Sequence, residues 1–279
     1  MIEAHLRADL IMDFAMGPNQ GQGVPALEDD EGLEWELAPF NVSIPIGTSF
    51  NDTIPGWGTG ILQAVVTGLV TDSVVTNLTF PTLPGGIVAN RTQKTLAESS
   101  LQEMTEHVKE DGSLAISCPQ SSEGLEYTIF AYYLVQDHHR NQATPTTLSG
   151  PQTKPETFVQ NGSWTVDHFS PRGAKVMTDF WDNYLLLNGT KEALQKVGNY
   201  AWEDSVEITP LLYWTKYLPQ RFQQARGYSI NKYIPLLFHQ STHKSRPIPP
   251  VWYVTDERDA GNSHIADYRT TVRSPNKIS

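Results

Sequence analysis

The sequence predicts an α/β protein built from βα units, with a β-rich subdomain among them. Beyond about residue 160, strand-like segments alternate with amphipathic helical segments, which is typical of βα units around a parallel sheet. Between residues 32 and 122, short β-rich runs are separated by turn residues such as Pro55-Gly56 and Asp111-Gly112. Seven Trp, 11 Tyr and 10 Phe provide ample apolar surface for a core, so the composition argues against a disordered chain.

The N-terminal half is expected to be mostly β-structure. Residues 6–16 form a mainly apolar segment that predicts a strand, and a loop rich in Gly and Pro follows over residues 17–25. Further strands are predicted over residues 61–70, 74–80 and 114–118. The segment 127–135 is so rich in aromatic and β-branched residues that it predicts a strand buried on both faces.

The C-terminal half shows helical periodicity between shorter strands. Strands are predicted at 164–169, 202–208 and 252–255, and helices at 171–187, 191–197, 219–226 and 264–272. Pro171 and Pro219 suit the first turn of a helix, and Gly227 suits a C-terminal stop.

Charge and cysteine content exclude several classes of protein. The formal net charge of −11 argues against a general nucleic-acid partner, because phosphate binding requires Lys and Arg patches. No run of about 18 apolar residues is present, so we expect no membrane-spanning helix. The single cysteine, Cys118, excludes an intrachain disulfide framework and a Cys-based zinc site.

Six Asn-x-Ser/Thr sequons favour a secreted glycoprotein. They are found at Asn41, Asn51, Asn77, Asn90, Asn161 and Asn188. A chance abundance of Asn, Ser and Thr is the alternative explanation. The first nine residues carry charges where a signal peptide would be apolar, so we expect that the chain is shortened at its N-terminus. The polar C-terminal residues lead us to expect that the chain is shortened at that end as well.

The strongest candidate for chemistry is the acidic segment 203–207. Alternation along a strand places Glu203 and Glu207 on one face and Asp204 on the other. Two carboxylates on one face repel, so the pKa of at least one is expected to rise, as a general acid requires. In βα barrels, catalytic groups lie at the carboxyl ends of strands. The alternative is a solvated acidic loop that caps the next helix.

Two further segments could bind a polar ligand. Asp167 and His168 follow the predicted strand 164–169, where a pocket rim is expected, although a surface Asp beside a stacked His is the alternative. In the loop 17–25, backbone amides and the side chains of Asn19 and Gln20 suit the hydroxyl groups of a sugar. An ordinary tight turn would explain the same composition.

Several motifs together resemble secreted fungal proteins similar to α-L-rhamnosidases, which belong to glycoside hydrolase family 106. The strings that carry the resemblance are DFAMGPNQGQGVP at 13–25, GLEWEL at 32–37, PGWGTG at 55–60, WEDSVE at 202–207, WT at 214–215, RGY at 226–228 and YIP at 233–235. They occur in order over nearly the whole chain.

The resemblance implies a partial (β/α)8 TIM-like barrel with an inserted β-rich subdomain. Residues 1–60 would hold the first barrel strand and the Gly-rich loop, residues 61–155 the insertion, and residues 156–279 the βα units of a truncated catalytic barrel. The implied activity is inverting cleavage of terminal α-L-rhamnosyl groups, with calcium assisting sugar binding. Glu207 would be the general acid, and Asn19, Gln20, Asp167, His168 and Asp204 would line the sugar site.

The chain departs from this pattern in length. Family members are several times longer, so the general base that activates water is expected beyond Ser279. An inverting enzyme needs both carboxylates. Two alternatives therefore remain: an inactive homologue that only binds carbohydrate, and a hydrolase-like accessory protein of a fungal biosynthetic pathway.

Overall fold

The structure is a computed structural model that describes residues 1–16, 23–80, 87–138, 140–141, 163–202, 210–238 and 249–273. The chain forms two compact units, each built from two separate segments. Unit 1 comprises Met1–Trp35 and Gln136–Thr209, and unit 2 comprises Glu36–Val135 and Pro210–Ser279. The division into segments 1–60, 61–155 and 156–279 stays a prediction.

The described elements give a mixed α/β fold. In chain order they are α1 (Ile2–Ala8), β1 (Met12–Ala15), β2 (Gly23–Val24), β3 (Trp35–Ile44), β4 (Ser49–Thr53), β5 (Ile61–Phe80), β6 (Ile87–Leu96), β7 (Gln102–Glu103), β8 (Ser113–Ser117), β9 (Glu126–Gln136), β10 (Arg140–Asn141), β11 (Ser163–Thr165), α2 (Pro171–Phe180), α3 (Thr190–Val197), β12 (Gly198–Trp202), α4 (Leu218–Arg226), α5 (Ile234–Leu237), β13 (Val251–Thr255) and α6 (Arg258–Arg273).

Unit 1 contains two small sheets. β1 and β12 form a parallel pair, and β10, β11 and β2 form an antiparallel sheet of three strands. α2 begins as its sequence predicts, because the side chain of Ser170 accepts a hydrogen bond from the Gly173 amide and Pro171 occupies the first turn. Its apolar face, Val176 and Met177, packs with strand residues in a small core.

Two predictions for unit 1 are wrong at their boundaries. Residues 6–8 belong to helix α1 instead of a strand, and Asp9 ends that helix in the left-handed conformation at φ 54°. The predicted helix 171–187 is α-helical only to Phe180, and a π-helical turn continues over Trp181–Leu185. The Leu186 amide donates to the Trp181 carbonyl at 2.8 Å, which is the wider i to i+5 bond of that turn.

Unit 2 is centred on a mixed sheet in the order β13-β6-β5-β9-β3, with β7 beside β5. β5 spans 20 residues and pairs with β9 through its first half and with β6 through its second half. The predicted strands 61–70 and 74–80 are thus one strand with a register shift between Val70 and Asp72. Such a bulge bends a strand without ending it.

The central strand β9 confirms the prediction of burial on both faces. Alternate residues Ile129, Ala131 and Tyr133 enter a core cluster that also holds Cys118, whose thiol pKa is raised by burial. Phe130 and Tyr132 are buried on the opposite face. A strand covered on both sides favours apolar side chains at successive positions, and this explains the apolar run from Ile129 to Leu134.

The C-terminal helices largely confirm the sequence analysis. α4 ends at Gly227, which adopts φ 79° and donates its amide to the Gln223 carbonyl at 2.9 Å. α6 contains the predicted helix 264–272 but begins at Arg258, and β13 matches the predicted strand 252–255 within one residue.

The described strands lie in four sheets, and none of these closes into a barrel. The structure therefore shows an α/β fold, and the predicted (β/α)8 barrel goes beyond what these residues show. Within the same residues, no helix has both the length and the apolar character needed to cross a membrane.

Candidate functional site

The parallel pair in unit 1 ends where two predicted site segments begin. Ala15 of β1 faces Trp202 of β12, and the Met16 amide donates to the Trp202 carbonyl at 3.0 Å. Parallel strands present their carboxyl ends at the same edge. In the sequence, the Gly-rich loop follows Met16 directly and the acidic segment follows Trp202 directly. The residues that precede the two segments are therefore hydrogen-bonded to each other.

Four of the predicted site residues belong to these two segments. Asn19, Gln20, Asp204 and Glu207 lie outside the described residues, so their predicted roles stay predictions.

The side chain of Asp13 holds the two strands together just before this edge. Its Oδ1 atom accepts hydrogen bonds from the Asn199 side-chain amide and from the Tyr200 backbone amide, both at 3.1 Å. The register shifts at this point, because one residue of β1 is matched by two of β12 between the paired positions. Asp13 thus accepts a hydrogen bond from the Tyr200 backbone amide, which lies at the register shift. Such bulges often accompany active sites.

Exposed aromatic rings lie on β12 beside the candidate site. Tyr200 is 67% exposed and Trp202 is 52% exposed, and their spacing of two residues places them on one face of the strand. Trp and Tyr combine an apolar ring with a polar group and are favoured where a ligand or partner is bound. This face can therefore pack against the apolar side of a sugar ring.

Asp167 and His168 lie between β11 and α2, where Asp167 has a defined structural role. Asp167 is only 2% exposed, and its Oδ1 atom accepts the Phe169 amide at 2.9 Å, forming a local turn before the helix. Its own amide donates to the Gly32 carbonyl at 2.8 Å. The alternative of a surface Asp is therefore wrong for Asp167, while its predicted contact with a sugar stays a prediction.

The neighbouring His168 is partly buried. Its ring lies 6.5 Å from that of Phe169, at an angle of 59°. The two rings are tilted relative to each other, and the predicted role of His168 in sugar binding stays a prediction.

A cluster of polar side chains in unit 2 was not expected from the sequence. The ring of His264, on α6, lies between the side chains of Tyr228 and Glu98. Its Nδ1 atom is 3.0 Å from the Tyr228 hydroxyl, and its Nε2 atom is 3.5 Å from a carboxylate oxygen of Glu98. The Tyr228 hydroxyl donates to Asp267 at 3.0 Å, and Asp267 forms an ion pair with Arg226 at 3.2 Å.

This cluster constrains the protonation of His264. The hydroxyl of Tyr228 has one proton, which it donates to Asp267, so the Nδ1 atom of His264 must be the donor to Tyr228. Burial lowers the pKa of His264, although the nearby Glu98 carboxylate opposes this shift. A proton on Nδ1 satisfies Tyr228, and the Nε2 atom becomes a donor to Glu98 only when the ring is charged, so burial and the Glu98 carboxylate act in opposite directions on this histidine. The cluster connects α6 to the segment after α4.

Two kinds of comparison gave no match: neither a family model nor a curated protein matches this sequence. Among solved structures, the chain is similar to that of a rhamnosidase from Novosphingobium sp. PP1Y, with a TM-score of 0.56 and 12% sequence identity. The chain has a rhamnosidase-like fold.

The likeness covers 98% of this chain and 37% of the rhamnosidase, so the chain corresponds to well under half of that protein's length. At 12% identity the comparison shows the fold alone. A chain whose motifs resemble those of rhamnosidases thus also folds like part of one.

Proposed function

We propose that this chain is part of a glycoside hydrolase of family 106 that acts on terminal α-L-rhamnosyl residues with inversion. The observation that carries the proposal is the hydrogen bond between the carboxyl ends of β1 and β12, at Met16 and Trp202. The Gly-rich loop follows Met16 in the sequence and the acidic segment follows Trp202, and these two residues lie at the kind of strand end where barrels hold catalytic groups. The likeness to part of a rhamnosidase supports the same conclusion.

In this proposal, Glu207 protonates the leaving oxygen of the glycosidic bond. Repulsion between carboxylates on one face of the predicted strand favours a protonated acid at Glu203 or Glu207, as a general acid requires. Asn19, Gln20, Asp167, His168 and Asp204 donate to or accept from sugar hydroxyls. Inversion requires a second carboxylate as general base, about 6.5–9.5 Å away, and we assign no residue to it.

In this proposal, calcium assists sugar binding through carboxylate oxygens. Within the described ranges, no three His, Cys, Asp or Glu side chains come together as a metal site. The acidic segment that would supply ligands lies outside those ranges, so we derive no step through calcium.

The proposal also includes a fungal secreted glycoprotein with a partial (β/α)8 barrel. Five of the six sequon asparagines lie in described regions, and all five are exposed, as glycan attachment requires: Asn41, Asn51, Asn77, Asn90 and Asn188. Asn161 lies outside the described residues.

The test is hydrolysis of 4-nitrophenyl α-L-rhamnoside by the chain and by a Glu207→Gln variant. Loss of the general acid should lower kcat about 10²- to 10⁴-fold. The matched control is Glu192→Gln, which neutralises an exposed glutamate on α3 and should leave the rate unchanged. Equal rates for wild type and Glu207→Gln would remove Glu207 from the mechanism, and NMR of the first sugar anomer released tests inversion.

A carbohydrate-binding homologue without activity is the second candidate, favoured by the exposed rings of Tyr200 and Trp202. It predicts calorimetric binding of L-rhamnose without turnover, weakened by Trp202→Ala. Turnover of the aryl rhamnoside would decide for the enzyme.

A further inference from the structure

A tryptophan of unit 2 is exposed on the short connection between β4 and β5. Trp57 is 41% exposed, and it lies in the string PGWGTG at 55–60, which has no part in the proposed mechanism. One exposed aromatic residue is ordinary on a protein surface and says little by itself. What distinguishes Trp57 is how its backbone and its ring are held, and which group lies beside it.

The turn that carries Trp57 is fixed by hydrogen bonds on both sides of it. The Thr59 amide and the Thr59 hydroxyl both donate to the Gly56 carbonyl, at 3.1 and 2.7 Å. The hydroxyl of the buried Tyr133 donates to the Pro55 carbonyl at 2.9 Å. The backbone at Trp57 is therefore ordered before a ligand arrives, which lowers the entropy cost of binding.

Gly112, in the turn before β8, supports one face of the indole ring. A Cβ atom at this glycine would lie 2.5 Å from the Cγ atom of Trp57 and 2.6 Å from its Cε2 atom, with Cδ2 between them as the nearest atom. These three atoms belong to the five-membered ring, so Gly112 lies over the face of the ring and not at its edge. Only a glycine permits so close an approach. With this face covered, the exposed surface of the ring is the opposite face and the outer edge.

A carboxylate lies beside the supported ring. Asp111 directly precedes Gly112, and its Oδ1 atom accepts the Ser113 amide at 3.0 Å, so its side chain folds back across Gly112. Hydrogen bonds from Ser113 lower the pKa of Asp111, and this exposed carboxylate is therefore charged at neutral pH. A carboxylate has about four acceptor sites, so it can accept a further hydrogen bond from a ligand. The indole ring and the carboxylate thus share Gly112 as a neighbour.

An aromatic face beside a charged acceptor matches the two sides of a pyranose sugar. The C–H groups on the face of such a sugar can lie flat on an indole ring. Its hydroxyls project from the edge of the ring and donate to a carboxylate. A planar aromatic hydrocarbon would use the indole face but would offer no donor to the carboxylate. The open side of the indole also leaves room for the rest of a longer glycan.

We propose that Trp57 and Asp111 bind one pyranose ring of a glycan, with its C–H face on the indole and one hydroxyl donating to the carboxylate. The proposal does not rest on the proposed hydrolase activity, because both residues lie in unit 2 and the predicted catalytic and sugar-binding residues lie in unit 1. One ring face and one hydrogen bond contribute little free energy, so we expect an affinity in the millimolar range.

The test uses the whole chain and methyl β-D-glucopyranoside. All hydroxyls of this sugar are equatorial, so both of its ring faces present C–H groups. It carries no α-L-rhamnosyl group, so failure of this test and failure of the proposed hydrolase are separate results. In isotope-labelled wild type, the indole N–H signal of Trp57 is assigned by its loss in Trp57→Phe. This signal should shift saturably as the sugar is added.

Saturation-transfer NMR on the same sugar compares the variants. Trp57→Ala should abolish transfer to the sugar. Asp111→Asn keeps an acceptor for the Ser113 amide but removes the charge, and it should weaken binding about 3- to 10-fold. The matched control is Tyr217→Ala, which removes another ring of unit 2, 38% exposed, and should leave binding unchanged. Thermal unfolding of each variant confirms that it is folded.

Two further probes define the class of ligand. Sorbitol carries similar hydroxyls on an open chain without a ring face and should not shift the Trp57 signal. Choline tests whether the ring and the carboxylate select a cation instead. The proposal is overturned if the glucoside does not shift the Trp57 signal saturably, or if Trp57→Ala or Asp111→Asn binds it as wild type does. It is also overturned if sorbitol or choline shifts that signal at a lower concentration than the glucoside.

Discussion

Replacing Gly173 with alanine tests how tightly the candidate residue Asp167 is held against α2. Gly173 is buried in the first turn of the helix, and its amide donates to the Ser170 side chain at 3.1 Å. A Cβ atom at this position would lie 2.0 Å from the Asp167 carbonyl oxygen and 2.7 Å from its carbonyl carbon. Because these are backbone atoms, no side-chain rotation relieves the clash.

Two opposing effects set the magnitude. Alanine in place of glycine within a helix normally stabilises by about 0.5–1 kcal/mol. Overpacking of a tight site typically costs about 1–3 kcal/mol, and a contact of 2.0 Å with backbone belongs at the upper end. The clash therefore outweighs the gain, and we expect the free energy of unfolding to fall by about 2 kcal/mol, as the difference of these two effects.

The assay is urea unfolding followed by tryptophan fluorescence. The matched control is Thr178→Ala, an exposed position of the same helix, which should change the free energy of unfolding by less than about 0.5 kcal/mol. If Gly173→Ala is as stable as wild type or more stable, the close approach of α2 to Asp167 is wrong.

Two further predictions concern the strand pair and the histidine cluster. Asp13→Ala removes two hydrogen bonds to β12 and should lower the free energy of unfolding by about 1 kcal/mol, because the site is exposed. Asp13→Asn keeps an acceptor oxygen and should lower it less. Identical urea midpoints for wild type and Asp13→Ala would contradict the role of Asp13 in joining the two strands. The pKa of His264 is lowered from its ordinary value of 6.5, so the unfolded chain binds the proton more readily and stability is lost as pH falls below about 6.5. His264→Phe keeps an aromatic ring against Tyr233 and should lose less stability than wild type over that range, so parallel pH profiles in urea unfolding would refute this assignment.

Local patterns predicted individual elements well where the determinants are close in sequence. The helix before Gly227 was predicted because a proline at the start and a glycine at the end act through their own backbone geometry. The continuous apolar pattern of 127–135 predicted burial on both faces of β9. Residues 6–8 were predicted wrongly, because a short apolar segment fits a strand or a helix equally well until its neighbours are known.

Long-range contacts could not be predicted in the same way. The burial of Asp167 depends on Gly32, which approaches it only when the chain returns to unit 1. Glu98 and His264 belong to segments far apart in sequence, and nothing in either segment indicates the other.

The sequence by itself determined which segments are apolar and where α4 stops, and it supplied the candidate residues for a sugar site. Only the tertiary structure decided which of these come together, namely the carboxyl ends of β1 and β12 and the rings of Phe130 and Tyr253. The physical reason is that backbone propensity acts over a few residues. Strand pairing and the bend of a sheet, in contrast, depend on side chains that meet only after folding.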